Sequence, residues 1–309
     1  MKLGICCVYF YGVDGDWLLP LQLRFIAESL TGYNYEIYAA ANRLDPALTE
    51  LLRAAPHVQI VRLQNFVGDA SHEHAFYLDR LIAAAISNGC SHVVTVDSDS
   101  FPIVPNWPAI LLHDMGSEAR FSAVLRAENG DSHLPHPCGY FMHRSFYLER
   151  APKLFPEDSE SQTESFREFL SKTKQRFDTG IGYGYALWAS DEKWLQLYRS
   201  NSNNPHFLMA GIYGGVFFHL GASSRRPSFY ADFVAYPVLR IARWLKGVPF
   251  FWRVSRVIEE RYLKKNERIF RRITNELSTA PDKFIARLSG TNQGRPDVLG
   301  SRKISRIGC

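Results

Sequence analysis

The chain has 309 residues, 46% hydrophobic, 14% aromatic and 22% charged, with a mean hydropathy of −0.18. Such a composition belongs to a folded protein with a sizeable core and excludes a disordered chain, a short peptide or a set of membrane spans. The formal net charge of +5 conceals a division, because residues 225–309 carry 19 Lys and Arg against 7 Asp and Glu, while the rest carries 17 against 24.

Lys2 precedes the apolar run LGICCVYFYGV, which has the outline of a signal peptide. No small-residue cleavage site follows it, and Asp14 and Asp16 interrupt it, so it reads as a first buried strand. The strand-like runs LGICCVYF, YEIYAAA, VQIVRL, HVVTV and FSAVLRA alternate with helical patterns over 18–30, 46–55 and 71–88. Pro46 suits a first helical turn, Asp69 or Ser71 can cap the third helix, and Gly89 ends it. Within that helix Leu78, Leu81, Ile82 and Ala85 share one face. The rhythm predicts an α/β fold with a mostly parallel sheet flanked by helices.

From 135 to 222 the pattern is less regular. Two Gly-rich apolar segments there, DTGIGYGYALW and MAGIYGGVFFHLG, suit loops or lids over a site. Beyond Arg225, Phe251, Val254, Ile258, Tyr262, Ile269, Ile273 and Leu277 recur at helical spacings with Arg and Lys between them, which predicts an amphipathic basic helix. The expected organisation is one catalytic domain over 1–224 and a basic helical tail over 225–309, whose end, GRPDVLGSRKISRIGC, has the composition of a flexible terminus. No uncharged run reaches the roughly 18 to 20 residues of a spanning helix. Five cysteines, an odd number with no C-x-x-C pair, argue for neither a disulfide framework nor a structural zinc site, and fit a reducing, cytoplasmic setting.

The strongest local signal is HVVTVDSDSFP, an apolar strand that ends in Asp97, Ser98 and Asp99. Side chains alternate along an extended backbone, so the two carboxylates project together just beyond the carboxyl edge of the sheet, where open α/β sheets bind ligands. Two convergent oxygen ligands suit Mn²⁺ or Mg²⁺. The alternative is a solvated turn rich in Asp and Ser.

The stretch QNFVGDASHEHAFYLDRLIAAAISNGCSHVVTVDSDSFP resembles the nucleotide-sugar-binding half of a GT-A type glycosyltransferase. It has a strand ending in Asn, a short Gly-containing loop, a long helix and a buried strand that delivers D-x-D. The resemblance implies a metal-dependent enzyme that transfers a sugar from a nucleoside-diphosphate donor. By the same resemblance Asp97 contacts the ribose or the metal, Asp99 coordinates the ion that bridges the diphosphate, and Asn42 lies near the base. Asn65, His74 and Ser98 join the nucleotide-sugar contacts. Such enzymes often complete the metal shell with a later histidine, and GGVFFHLG offers His219, which otherwise reads as a hydrogen-bonded residue at a strand end. His72 and His74 open a helix whose unpaired N–H groups can approach phosphate or sugar oxygens, the alternative being two exposed polar residues.

On the acceptor side Asp178 is the leading general base, with Tyr183, Tyr185 and Trp188 able to stack on a pyranose; its alternative role is a helix cap. Glu128 and Asp131 compete for the base role, and the adjacent Glu-Asp pair of many inverting relatives is absent. The segment HPCGYFMHRSFYL, with His136, Cys138 and His143, fits no zinc spacing and reads as strand packing.

Two other functions compete. A haloacid-dehalogenase-like phosphatase also ends a strand in D-x-D, but on its first strand. A non-catalytic nucleic-acid-binding protein would use the basic tail. Trp244, Phe250, Phe251 and Trp252 among the basic residues favour an anionic membrane surface instead, which implies a peripheral enzyme with a glycan or lipid-linked acceptor, as in cell-surface polysaccharide synthesis, and no nucleic-acid partner.

Overall fold

A computed structural model of the chain describes residues 1–11, 15–221, 241, 244–245, 251–290 and, as backbone, 302–305. The first half runs β1 (Lys2–Val8), α1 (Leu18–Ser29), β2 (Asn34–Ala40), α2 (Pro46–Ala54), β3 (Val58–Ile60), α3 (Ala70–Ser87), β4 (His92–Asp97), β5 (Ser100–Pro102), α4 (Trp107–Met115) and β6 (Phe121–Leu125). The second half runs β7 (Pro135–His143), α5 (Arg144–Arg150), α6 (Asp158–Ser161), α7 (Glu164–Thr173), α8 (Ile181–Ala189), β8 (Trp194–Leu197), β9 (Gly211–Tyr213), β10 (Phe217–His219), α9 (Trp252–Thr279), α10 (Pro281–Ser289) and β11 (Arg302–Ser305).

Eight strands form the main sheet in the order β11-β8-β6-β7-β4-β1-β2-β3. The β1, β2, β3 and β4 pairings are parallel, β7 runs antiparallel between β4 and β6, and β6 is parallel to β8. The expected α/β body, a mostly parallel sheet flanked by helices, is therefore present. A small antiparallel sheet, β5-β10-β9, stands beside it.

The central strands are buried on both faces, which is why they read as continuous apolar runs and not as alternation. Leu3, Ile5 and Cys7 of β1 pack with Leu19 and Ile26 of α1 and with Trp107 and Leu111 of α4. Cys6 points the other way, into the layer of Leu78, Leu81, Ile82 and Ala85 from α3. Local chemistry sets the helix starts. Asp45 accepts from the Leu48 N–H ahead of Pro46, and Asp69 accepts from the N–H groups of Ser71 and His72.

Two expectations need correction. Only Val58–Ile60 of VQIVRL pairs as a strand. DTGIGYGYALW is no lid but the packed helix α8, whose Ile181, Tyr183 and Leu187 are buried. Its glycines serve close approach: a Cβ on Gly182 would lie 2.1 Å from the Lys153 carbonyl, and one on Gly184 would lie 2.7 Å from that of His133.

The boundary expected at Ser224, Phe250 and most of the terminal segment lie outside the described residues. Beyond them α9 supplies the expected amphipathic helix, 28 residues long. Its Ile273 and Leu277, with Phe284, Ile285 and Leu288 of α10, share a core with Leu18 and Phe25 of α1, Phe101 and Phe218. β11 extends the main sheet by pairing with β8.

Candidate active site

Val8 is in register with both Ala40 and Asp97, so β1, β2 and β4 end at one edge. From β1 the chain winds outward through β2 and β3 and returns to place β4 on the other side of β1. That reversal of strand order is the place where such sheets open a ligand crevice.

The D-S-D turn there is held from several directions. Gln22, fully buried in α1, donates from Nε2 to the carbonyls of Asp97 (2.7 Å) and Ser100 (2.6 Å). The Ser100 hydroxyl accepts from the Asp97 N–H at 2.8 Å and donates to the Cys138 carbonyl at 2.8 Å. The Leu220 N–H donates to the Asp99 carbonyl at 3.0 Å, which ties the end of β10 to the turn. Ser98 donates its hydroxyl to the Phe10 carbonyl at 2.8 Å, so this side chain secures backbone.

The side chains of Asp97, Asp99 and His219 converge as a result. His219 Nε2 lies 3.6 Å from Asp97 Oδ2 and 3.3 Å from Asp99 Oδ1, and His74 Nε2 lies 3.5 Å from Asp97 Oδ1. These separations exceed the roughly 2.7–2.9 Å of a charge-assisted hydrogen bond. The 3.6 Å between His219 and Asp97 matches the spacing of two donors that share one ion at about 2.0–2.3 Å each. Asp97 Oδ1 is buried and has no hydrogen-bond partner among the described residues. Burial raises the Asp97 pKa, against the pull of His74 and His219. Burial opposes charge on His219, yet the neighbouring Cys138 and Asp99 lift its pKa well above the ordinary value. Among the described residues, the ligand atoms of Asp97, Cys138 and His219 all lie within 4.8 Å of one another, a group that could hold a metal ion.

Asn42 and Asn65 stand at the same edge, where Asn42 Nδ2 donates to Asn65 Oδ1 at 2.9 Å and to the Leu63 carbonyl at 3.0 Å. His72 pairs with Asp69 and stacks on Phe155, 4.4 Å between ring centroids. Asp178 is exposed just before α8, its Oδ1 accepting from the Thr179 N–H at 2.8 Å, and the helix cap is Gly180. Asp131 is buried, and burial raises its pKa to about 6, with Asp178 and Glu128 adding to the rise and Arg126 opposing it. Glu128 accepts from the Tyr213 hydroxyl at 2.5 Å and faces Arg199 at 3.8 Å, which makes it a structural anchor. The expected stacking platform does not form as a set: Tyr183 is fully buried, whereas Tyr185 and Trp188 of α8 pack with Phe169 of α7.

Sequence reasoning missed Gln22 and read Cys138 as strand packing. A glutamine on an otherwise apolar helix face, LLPLQLRFI, is the signal for the first. The second has no local signal, since a bulge in β7 places it.

No protein-family model and no curated protein matches the sequence. Solved structures do match. The Staphylococcus aureus TarS residues 1–349 align over 93% of this chain and 81% of their own at 11% identity and a TM-score of 0.40. The galactosyltransferase LgtC, in complex with donor and acceptor sugar analogues, aligns over 60% and 70% at 11% identity and 0.34. The mannosyltransferase PcManGT of Pyrobaculum calidifontis, in complex with GDP-Man and Mn²⁺, aligns over 50% and 48% at 15% identity and 0.36. At that distance function has to be argued from the residues of this chain.

Proposed function

We propose that the protein is a glycosyltransferase that moves a sugar from a nucleoside-diphosphate donor to a glycan or lipid-linked acceptor. The observation that carries this reading is the convergence of Asp97, Asp99 and His219 at the switch point of the sheet. Carboxylates and an imidazole there are a donor set for Mn²⁺, the imidazole being less suited to Mg²⁺. When bound, such an ion stabilises charge on a departing diphosphate. Asp97 lies on the fourth strand of the chain, not the first, which favours this reading over a phosphatase.

The other roles follow from position. Asn42 and Asn65 present amides along the crevice edge, where a base and ribose need hydrogen-bond partners. His74, beside Asp97, faces the donor side. Asp178, with Asp131 buried near it, serves the acceptor. A carboxylate there takes the acceptor hydroxyl proton as that oxygen bonds to the anomeric carbon and the bond to the diphosphate breaks. Asp131, with its pKa lifted to about 6, is suited to proton transfer near neutrality.

No described helix is long and apolar enough to cross a membrane. Instead Phe251, Trp252, Val254 and Val257 are about half exposed, at 47–51%, among Arg253, Arg256 and Arg261. Aromatic and aliphatic groups between cations fit the surface of an anionic bilayer, which supports a lipid-linked acceptor and a cytoplasmic, peripheral enzyme.

The test is to incubate the full chain with UDP-, GDP- and dTDP-sugars, with Mn²⁺ or Mg²⁺, and to measure nucleoside diphosphate release. One donor is expected to turn over, and the Asp97→Asn and Asp99→Asn variants to lose that turnover. Undiminished turnover in both variants overturns the reading. So does an enzyme that only hydrolyses phosphomonoesters, or that only releases pyrophosphate from nucleoside triphosphates.

A further inference from the structure

We propose that Cys138 is a ligand of an ion held together with Asp97 and His219, so that the centre takes thiolate-accepting ions such as Zn²⁺ or Co²⁺ and discriminates against Mg²⁺. This rests on the reading of the cluster as a metal centre.

The backbone is built to present that sulfur. β6 and β7 pair regularly up to Ala123 with Tyr140, and then the register jumps so that Val124 faces His136. The intervening residues, Pro137, Cys138 and Gly139, form a bulge, a device that re-aims a side chain next to active sites. The bulge is fastened to β4 and to the D-S-D turn. Thr95 Oγ1 donates to the Pro137 carbonyl at 2.6 Å and accepts from the Tyr140 N–H at 3.2 Å, while the Ser100 hydroxyl donates to the Cys138 carbonyl at 2.8 Å. Gly139 completes it, for a Cβ there would sit 2.7 Å from Val124 Cγ2 and 3.1 Å from the Phe217 ring. The serine that orders the D-S-D backbone thus also fixes the cysteine.

Cys138 is fully buried, yet it faces Asp97 and His219 and not hydrocarbon alone. The other described cysteines differ: Cys6 and Cys90 pack in the apolar layer under α3, and Cys7 Sγ lies 3.9 Å from Gln22 Oε1. A thiolate is a soft donor that suits Zn²⁺ and Co²⁺, whereas Mg²⁺ demands oxygen. As the sulfur–metal bond forms, the thiol releases one proton to solvent.

The test is optical titration of the metal-free full chain with Co²⁺. One equivalent is expected to bind with visible d–d bands and a near-ultraviolet sulfur-to-cobalt charge-transfer band. Millimolar Mg²⁺ should displace neither. Cys138→Ser should lose the charge-transfer band, keep the d–d bands and bind Zn²⁺ at least about tenfold more weakly, the scale that second-shell losses already reach. Visible bands without a charge-transfer band, or a charge-transfer band that survives in Cys138→Ser, overturn the sulfur ligand and leave the metal centre standing. No Co²⁺ uptake overturns the centre itself. X-ray absorption on the zinc-loaded natural sequence needs no variant: one sulfur near about 2.3 Å supports the proposal and none refutes it.

Discussion

Gln22 offers the sharpest test of how the D-S-D turn is held. Its amide donates to two backbone carbonyls at 2.6–2.7 Å with no exposure to solvent. Gln22→Met preserves the volume and removes both donors. A buried acceptor left without its partner costs about 1–3 kcal/mol, so two such losses, partly offset by the more favourable burial of a thioether, come to about 2–4 kcal/mol. The loss falls on the strand end that carries Asp97 and Asp99, so Mn²⁺ affinity should drop with it. Urea unfolding followed by tryptophan fluorescence reads the first effect, and isothermal titration of the folded variant reads the second. A stability within about 0.5 kcal/mol of the natural protein, the range of ordinary surface changes, together with unchanged affinity, would refute the claim that this glutamine orders the site.

Further outcomes are expected elsewhere. Asp99→Asn should lower kcat by about 100-fold or more, the scale of one lost electrostatic stabiliser, with little change in the urea midpoint. Of Asp131→Asn and Asp178→Asn, the variant that removes the base should lower transfer by about 10²–10⁴-fold while donor affinity persists; if the base is Asp131, the rate of the natural enzyme falls as pH drops below about 6. Asp79, whose carboxylate accepts the Leu154 N–H at 3.1 Å, is lifted by burial from 3.8 to about 7. The folded state therefore binds this proton more tightly than the unfolded chain, and the stability it contributes below pH 4 is lost as pH rises to 7. Asp79→Asn, measured by urea midpoint, should be more stable than the natural protein at pH 8, by on the order of 2–4 kcal/mol, with the advantage shrinking toward pH 5. Replacing Arg253, Arg256, Arg261, Lys264 and Lys265 with Gln should abolish sedimentation with anionic vesicles, at about 1 kcal/mol per cation; binding that persists would refute the membrane reading.

Much of the body was legible because its causes are local. β1 and β4 are apolar on both faces, Asp45 and Asp69 cap the helices that follow them, and the acids at 97 and 99 break an apolar run that nothing else would break. The site's finer chemistry was not legible, because its causes are distant pairings. Gln22 reaches across from α1 to β4, and His219 arrives on a hairpin paired to β5. Glycines 182 and 184 give their segment the composition of a loop or lid, whereas the structure uses them where α8 lies against the carbonyls of Lys153 and His133. Cys138 shows the limit most clearly. Its spacing fits no zinc pattern, since such patterns describe ligands offered by one turn, while this sulfur depends on a slip of register between β6 and β7 and on hydroxyls from Thr95 and Ser100. The two carboxylates can be read from a single strand. In the proposed centre the preference among ions would be set by what a neighbouring strand brings to them, and a bulge that brings sulfur has to be read from sheet pairing and not from the D-x-D motif alone.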